Sequence, residues 1–174
     1  MKYVEAAEKL LAQFNIRKFP VPVEDIAKRL GARIIYQPFD QRDNLSGVLL
    51  KENGKITIAV NSKDPRNRKR FTIAHECGHL VMKHKGDMFV DQAVRLKRDG
   101  TSALAVDPFE IEANGFAAEL LMPRPWVLAE YGEKVKGQNV KPASLVKDLA
   151  RAFAVSDKAM EYRLQNLGLL YPDY

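Results

Sequence analysis

Two histidines and a glutamate lie within little more than one helical turn, in the stretch His75-Glu76-Cys77-Gly78-His79. Residues four apart share one face of an α-helix, with Cβ atoms about 5–6 Å apart. The imidazoles of His75 and His79 can therefore bind one zinc ion, for which Zn–N distances are about 2.0–2.1 Å. Glu76 points about 100° round the helix from His75, so we expect its carboxylate beside the metal, as a general base. The spacing predicts the chemistry of a zinc hydrolase.

A catalytic zinc site takes a third protein ligand and keeps one position for water. His84 is the remaining one of three histidines, but it lies about 140° round the helix from His79. No glycine intervenes to break the helix, so we expect His84 on the surface. Glu110 and Glu112, on a predicted helix over 109–121, are about 200° apart, so only one can face the metal. The simpler interpretation of each of these two glutamates is a solvated carboxylate near the start of a helix.

The segments FTIAHECGHLVMKH and EIEANGFAAELLMP together resemble the ImmA/IrrE family of bacterial zinc metallopeptidases. That family pairs an HExxH helix with a Glu-Ala-Asn-x-Phe-Ala helix that ends in Leu-Met-Pro. The similarity covers about residues 20–125. The resemblance implies that His75 and His79 are zinc ligands and that Glu76 is the general base. It also implies that Glu112 is the third ligand, and that Asn114 holds the helix end or hydrogen-bonds to a ligand.

The resemblance further implies a function and a substrate. We expect a zinc-dependent endopeptidase that cleaves a helix-turn-helix transcriptional repressor, and so derepresses prophage, mobile-element or stress genes. The alternative is a non-enzymatic, zinc-containing regulator that binds a repressor or DNA. A structural zinc site is normally closed by four protein ligands. The sequence has no second cysteine and no suitably placed fourth ligand, which favours the enzyme.

Local signals predict the elements that position these residues. A helix from Pro22 to Leu30 precedes a strand over 32–36. Asn53-Gly54 favours a type I′ turn between strands 47–52 and 55–60. We predict a mainly helical, zincin-like α+β fold with a small three-stranded antiparallel sheet, packed against the helix that follows Pro65. Residues 86–108 lack periodicity, and we expect a loop or lid there.

Two predicted helices near the C-terminus, over 143–153 and 156–167, resemble a helix-turn-helix pair with Ser156 as the N-cap of the second. Three roles stay open for this pair: direct DNA binding, docking of a protein partner, and packing on the rest of the chain. We divide the chain into a metallopeptidase domain over 1–131 and a C-terminal helical extension over 142–174.

Composition sets the remaining expectations. The chain has 174 residues, 46% of them apolar, and a net charge of +6, as for a protein with a solvated basic surface, or one that binds an acidic partner or nucleic acid. The single cysteine excludes an internal disulfide and suits a reducing compartment. No apolar run approaches the ~20 residues that span a bilayer, and the N-terminus predicts an amphipathic helix. We therefore expect a cytoplasmic protein without a membrane partner. Cys77 should be a small buried thiol, and Gly78 should allow close packing.

Overall fold

The described part of the chain is residues 1–39, 45–92, 107–136 and 141–170 of a computed structural model. These ranges contain seven helices and four strands, a mixed fold consistent with the predicted α+β class. In chain order they are α1 (Lys2–Gln13), α2 (Val23–Arg29), β1 (Ala32–Gln37), β2 (Leu45–Glu52), β3 (Lys55–Asn61), α3 (Arg66–Val81), β4 (Met88–Gln92), α4 (Pro108–Leu121), α5 (Arg124–Val135), α6 (Pro142–Phe153) and α7 (Asp157–Asn166). None of the helices in these ranges is both long and apolar enough to cross a lipid bilayer.

The strands form one sheet in the order β1-β3-β2-β4. β2 and β3 pair antiparallel, and the φ angles of Asn53 (49°) and Gly54 (73°) are both positive, as a type I′ turn requires. The predicted hairpin is confirmed. The prediction of three antiparallel strands is wrong in its detail, because β1 runs parallel to β3 and β4 adds a fourth strand, antiparallel to β2. Turn chemistry specifies a hairpin locally, whereas long-range packing selects the partner of β1.

β4 arises from the segment in which we expected a loop or lid. Residues 88–92 pair with β2, so this part of the predicted 86–108 segment is a strand. Residues 93–106 lie outside the described residues. The part of the lid prediction that concerns them stays a prediction.

α3 is the central helix, and every residue from Thr72 to His79 is buried. β2 passes directly over it at Gly47. A β-carbon at this position would overlap Cγ2 of Thr72 and lie 3.3 Å from Oε1 of Glu76. The glycine therefore allows the sheet to approach the helix that carries both histidines.

α4 buries an apolar stripe of Ala113, Phe116, Ala117, Leu120 and Leu121, and the first two of these residues lie against Gly78 of α3. The helix begins after Asp107, whose carboxylate accepts a hydrogen bond from the Phe109 N–H at 2.9 Å. Gly78 lies under this stripe, so the predicted packing role of this glycine is confirmed.

The two C-terminal helices pack on the same core. The Phe153 ring of α6 stacks on Phe19 at 4.1 Å between centroids. In the turn between α6 and α7, Asn67 Nδ2 donates to the Val155 carbonyl at 2.8 Å, and Arg70 Nε donates to that of Ala154 at 3.1 Å. The basic segment that begins α3 therefore contributes hydrogen bonds inside the protein. Ser156 accepts from the Ala159 N–H, which confirms the predicted N-cap.

Candidate metal centre

Side chains from α3 and α4 meet at one point. The Nε2 atoms of His75 and His79 are 3.1 Å apart. One carboxylate oxygen of Glu110 lies 3.2 Å from Nε2 of His75, and the other lies 3.3 Å from Nε2 of His79. Both histidines are buried, whereas the Glu110 side chain is one-third exposed, at 33%. The cluster can therefore bind an ion at the edge of the core while keeping one side towards solvent.

The protonation of these side chains suits a cation. Nδ1 of His75 donates to Oδ1 of Asn114 at 3.1 Å, which turns Nε2 of the ring towards the Glu110 carboxylate. Burial lowers the pKa of His79, which favours its neutral form. Hydrogen bonding to His75, and then to His79, lowers the pKa of Glu110 to about 2. Glu110 is therefore an ionised carboxylate at neutral pH.

Two imidazole nitrogens and one carboxylate are a donor set that zinc accepts in catalytic sites. The ligand atoms of His75, His79 and Glu110 all lie within 4.8 Å of one another. Electron-rich atoms concentrated in this way repel each other unless a cation or protons intervene. The residues present fit a zinc ion.

Glu112, the residue that the family resemblance implied as third ligand, faces elsewhere. Its Oε2 lies 3.1 Å from Nε2 of His84, whereas Glu110 reaches both α3 histidines. The geometry therefore differs from the sequence-based choice. Packing decides the rotation of α4, because Glu110 continues the buried stripe at three residues before Ala113 and seven before Ala117. This periodicity is the signal in the sequence that could have selected Glu110.

His84 is buried, with 5% of its surface exposed, so the predicted surface position is wrong. The α3 helix ends at Val81, and Lys83 adopts a left-handed conformation with φ of 55°. The His84 N–H then bonds back to the His79 carbonyl at 3.1 Å. This is the hydrogen bond that closes a Schellman-type helix end. The left-handed Lys83 therefore ends the helix and turns the chain back, although it is not a glycine.

Glu76 and Cys77 are both fully buried on α3. The position of Glu76 Oε1 near Gly47 puts this carboxylate on the side of α3 that faces β2. Burial raises the pKa of the Cys77 thiol, which keeps the sulfur protonated. The prediction of a small buried thiol is confirmed.

Two phenylalanines cover the histidine rings. Phe89 of β4 stacks on His79 at 4.3 Å between centroids, and Phe109 of α4 stacks on His84 at 4.6 Å. Lys51 Nζ lies 5.0 Å from the Phe89 centroid and donates to the His84 carbonyl at 3.3 Å. These contacts connect β2, β4 and α4 around the end of α3 that carries the candidate metal ligand His79.

Comparison of the sequence with known proteins places the chain in a family. Residues 27–165 match the model of the Peptidase M78 family, described as the IrrE N-terminal-like domain. The match includes α3, α4, α6 and all of α7 except its last residue, Asn166. The chain is also 27% identical over 126 residues to "uncharacterized immunity region protein 2" of Bacillus phage phi105, across 71% of this chain and 72% of that protein. The resemblance recognised in the two sequence motifs is thus confirmed, and the chain belongs to the ImmA/IrrE family of metallopeptidases.

Proposed function

We propose that this protein is a zinc-dependent endopeptidase in which His75, His79 and Glu110 bind the metal and Glu76 is the general base. The observation that carries the proposal is the convergence of two Nε2 atoms and the Glu110 carboxylate within 3.1–3.3 Å contacts. Glu76 occupies the next position of the same buried helix. Membership of a peptidase family supports peptide-bond hydrolysis as the reaction.

Each residue has a defined chemical role in this proposal. Zinc would supply a Lewis acid that acidifies water and polarises the scissile carbonyl. Glu76 would accept a proton from the attacking water on a carboxylate oxygen and pass it to the leaving amine nitrogen. Asn114 would hold the His75 ring in the tautomer that leaves Nε2 free to bind, by accepting the hydrogen of Nδ1.

The proposed substrate is a helix-turn-helix transcriptional repressor, whose cleavage would derepress prophage, mobile-element or stress genes. The family and the immunity-region name of the phage relative support this context. β4 is the last strand in the sheet order, and its Phe89 lies on His79. An extended peptide that added to this edge of the sheet would therefore run beside the metal ligands.

The test is Glu76→Gln, assayed on a helix-turn-helix repressor chosen from among the products of the neighbouring genes. The substitution keeps the size of the side chain and removes the proton acceptor, so zinc content and fold should persist. Cleavage should fall by at least about a hundredfold, at the lower end of general-base contributions. Glu130→Gln is the control, because Glu130 is paired with Lys134 at the surface of α5.

Two results would contradict the proposal. One is cleavage by Glu76→Gln at the wild-type rate. The other is a wild-type protein that releases the repressor from DNA without cutting it. Either result would favour the non-enzymatic regulator.

A further inference from the structure

We propose that Glu112 and His84 are positioning residues that orient His79 towards the metal through a chain of hydrogen bonds. The inference rests on the proposed function, because it assigns His79 as a zinc ligand. Glu112 Oε2 lies 3.1 Å from Nε2 of His84, and Nδ1 of His84 lies 2.9 Å from Nδ1 of His79. The chain thus begins at a partly exposed carboxylate and ends at a buried ligand.

The hydrogens along this chain are consistent with one arrangement. A neutral His79 that binds through Nε2 carries its hydrogen on Nδ1 and donates it to Nδ1 of His84. His84 then carries its own hydrogen on Nε2 and donates it to Glu112. Each nitrogen between the metal and the carboxylate has one partner, and no donor faces another donor.

The backbone and the aromatic rings hold His84 in this position. Its N–H bonds to the His79 carbonyl, and its own carbonyl accepts from Lys51 Nζ. The His84 ring lies against Phe109, and the His79 ring lies against Phe89. The two rings therefore have little freedom to rotate, and the contact between them is shielded from water.

His75 and His79 differ in the group that accepts the hydrogen of their Nδ1 atoms. The Nδ1 hydrogen of His75 goes directly to the amide oxygen of Asn114, a neutral acceptor. That of His79 goes to an imidazole that is itself bonded to the Glu112 carboxylate. An anion at the end of such a chain strengthens the donated hydrogen bonds and the basicity of the ligand nitrogen. Glu112 would thus influence zinc binding through His84 and His79, without contacting the metal itself.

The test measures zinc affinity by competition with a chelator, in the purified full chain. His84→Leu removes the acceptor for His79 and should weaken zinc binding about 10–100-fold, as for other partners of metal ligands. His84→Asn can restore an oxygen acceptor near the position of Nδ1 and should recover part of this loss. Glu112→Ala should also weaken binding, whereas Glu112→Gln, which keeps an acceptor for Nε2, should weaken it less. Glu130→Ala is the matched control, since the Glu130 and Glu112 side chains are exposed by 31% and 34%.

The double variant His84→Leu/Glu112→Ala separates this proposal from direct ligation by Glu112. If Glu112 acts through His84, its removal costs nothing further once His84 is gone. If Glu112 binds zinc itself, the double variant binds more weakly than His84→Leu, and the proposal is overturned. The visible spectrum of the cobalt-substituted protein should change in His84→Leu, because the orientation of His79 changes.

A purely structural role would give another pattern. It would lower the thermal stability of the metal-free protein and leave zinc affinity unchanged, which also overturns the proposal. If His84→Leu fails to fold, the partly exposed Glu112 still provides the comparison with Glu130→Ala. A wild-type protein that binds no zinc would refute the proposed function itself, and the two failures are therefore distinguishable.

Discussion

Gly78 of α3 lies against Ala113 of α4 so closely that a β-carbon on Gly78 would be 3.1 Å from the Ala113 Cα. The Phe116 ring would lie 3.2 Å from the same position. The candidate metal ligands His75 and His79 flank this contact on α3, and Glu110 precedes it by one turn on α4. The distance between the helices therefore sets the distance between the candidate ligands.

Gly78→Ala should separate the two helices by a few tenths of an ångström and weaken zinc binding. Overpacking typically costs about 1–3 kcal/mol, and the better helix propensity of alanine offsets up to about 1 kcal/mol of that cost. We expect a net loss of stability by chemical denaturation and a higher zinc dissociation constant. Gly132→Ala in α5 is the control, because a β-carbon there meets nothing within 4 Å. Equal zinc affinity in the two variants would show that Gly78 does not set the ligand spacing.

Glu110→Ala should weaken zinc binding more than any other glutamate substitution at the centre. His75→Ala and His79→Ala should have comparable effects, because two remaining ligands make a poor zinc site. Glu112→Ala should cost only about 10–100-fold, as a residue that acts through another. Elemental analysis and chelator competition on the purified variants give the order of their zinc affinities. A larger loss for Glu112 than for Glu110 would favour the ligand set that the family resemblance implied.

Removal of zinc should lower the thermal stability of the wild-type protein. An ion that binds only the native state at a hundred times its dissociation constant adds about 2.7 kcal/mol. The melting temperature should therefore fall on addition of a chelator and recover on addition of zinc. His79→Ala should respond to neither treatment. A chelator-induced shift that persists in His79→Ala would mean that zinc stabilises the protein at another site.

Arg163→Met should destabilise the whole fold, although Arg163 lies in the C-terminal helix α7. Its guanidinium pairs with Glu119 of α4, and the two side chains are only 12% and 4% exposed. Removing one partner leaves a buried charge, which typically costs about 3–5 kcal/mol. The double variant Arg163→Met/Glu119→Leu should recover much of that loss. Chemical denaturation provides the measurement.

Lys158→Met is the control for this prediction, because the Lys158–Glu161 pair is exposed by 62% and 38%. Exposed pairs contribute at most about 1 kcal/mol. An effect of Arg163→Met no larger than that of Lys158→Met would contradict the prediction. Such a small effect would mean that this ion pair does not hold α7 on the core, and α7 could then bind a protein partner or DNA.

Local signals in the sequence were sufficient for much of this protein. The HExxH spacing places His75 and His79 on one helical face, and Asn53-Gly54 specifies the β2–β3 turn. Ser156 marks the start of α7, and the small residue at position 78 indicates close packing. Each of these signals operates within a few residues, because hydrogen bonding and helical periodicity act over that range.

Tertiary structure decided the features that depend on residues far apart in the chain. The choice between Glu110 and Glu112 follows from the rotation of α4, which is set by the side chains it buries against α3. The burial of His84 follows from a left-handed Lys83, a conformation that costs a residue with a β-carbon about 1–2 kcal/mol and that packing must repay. The parallel pairing of β1 and the addition of β4 likewise depend on long-range contacts. The sequence alone thus determined which chemical groups are present on each helix, and packing determined which of them meet.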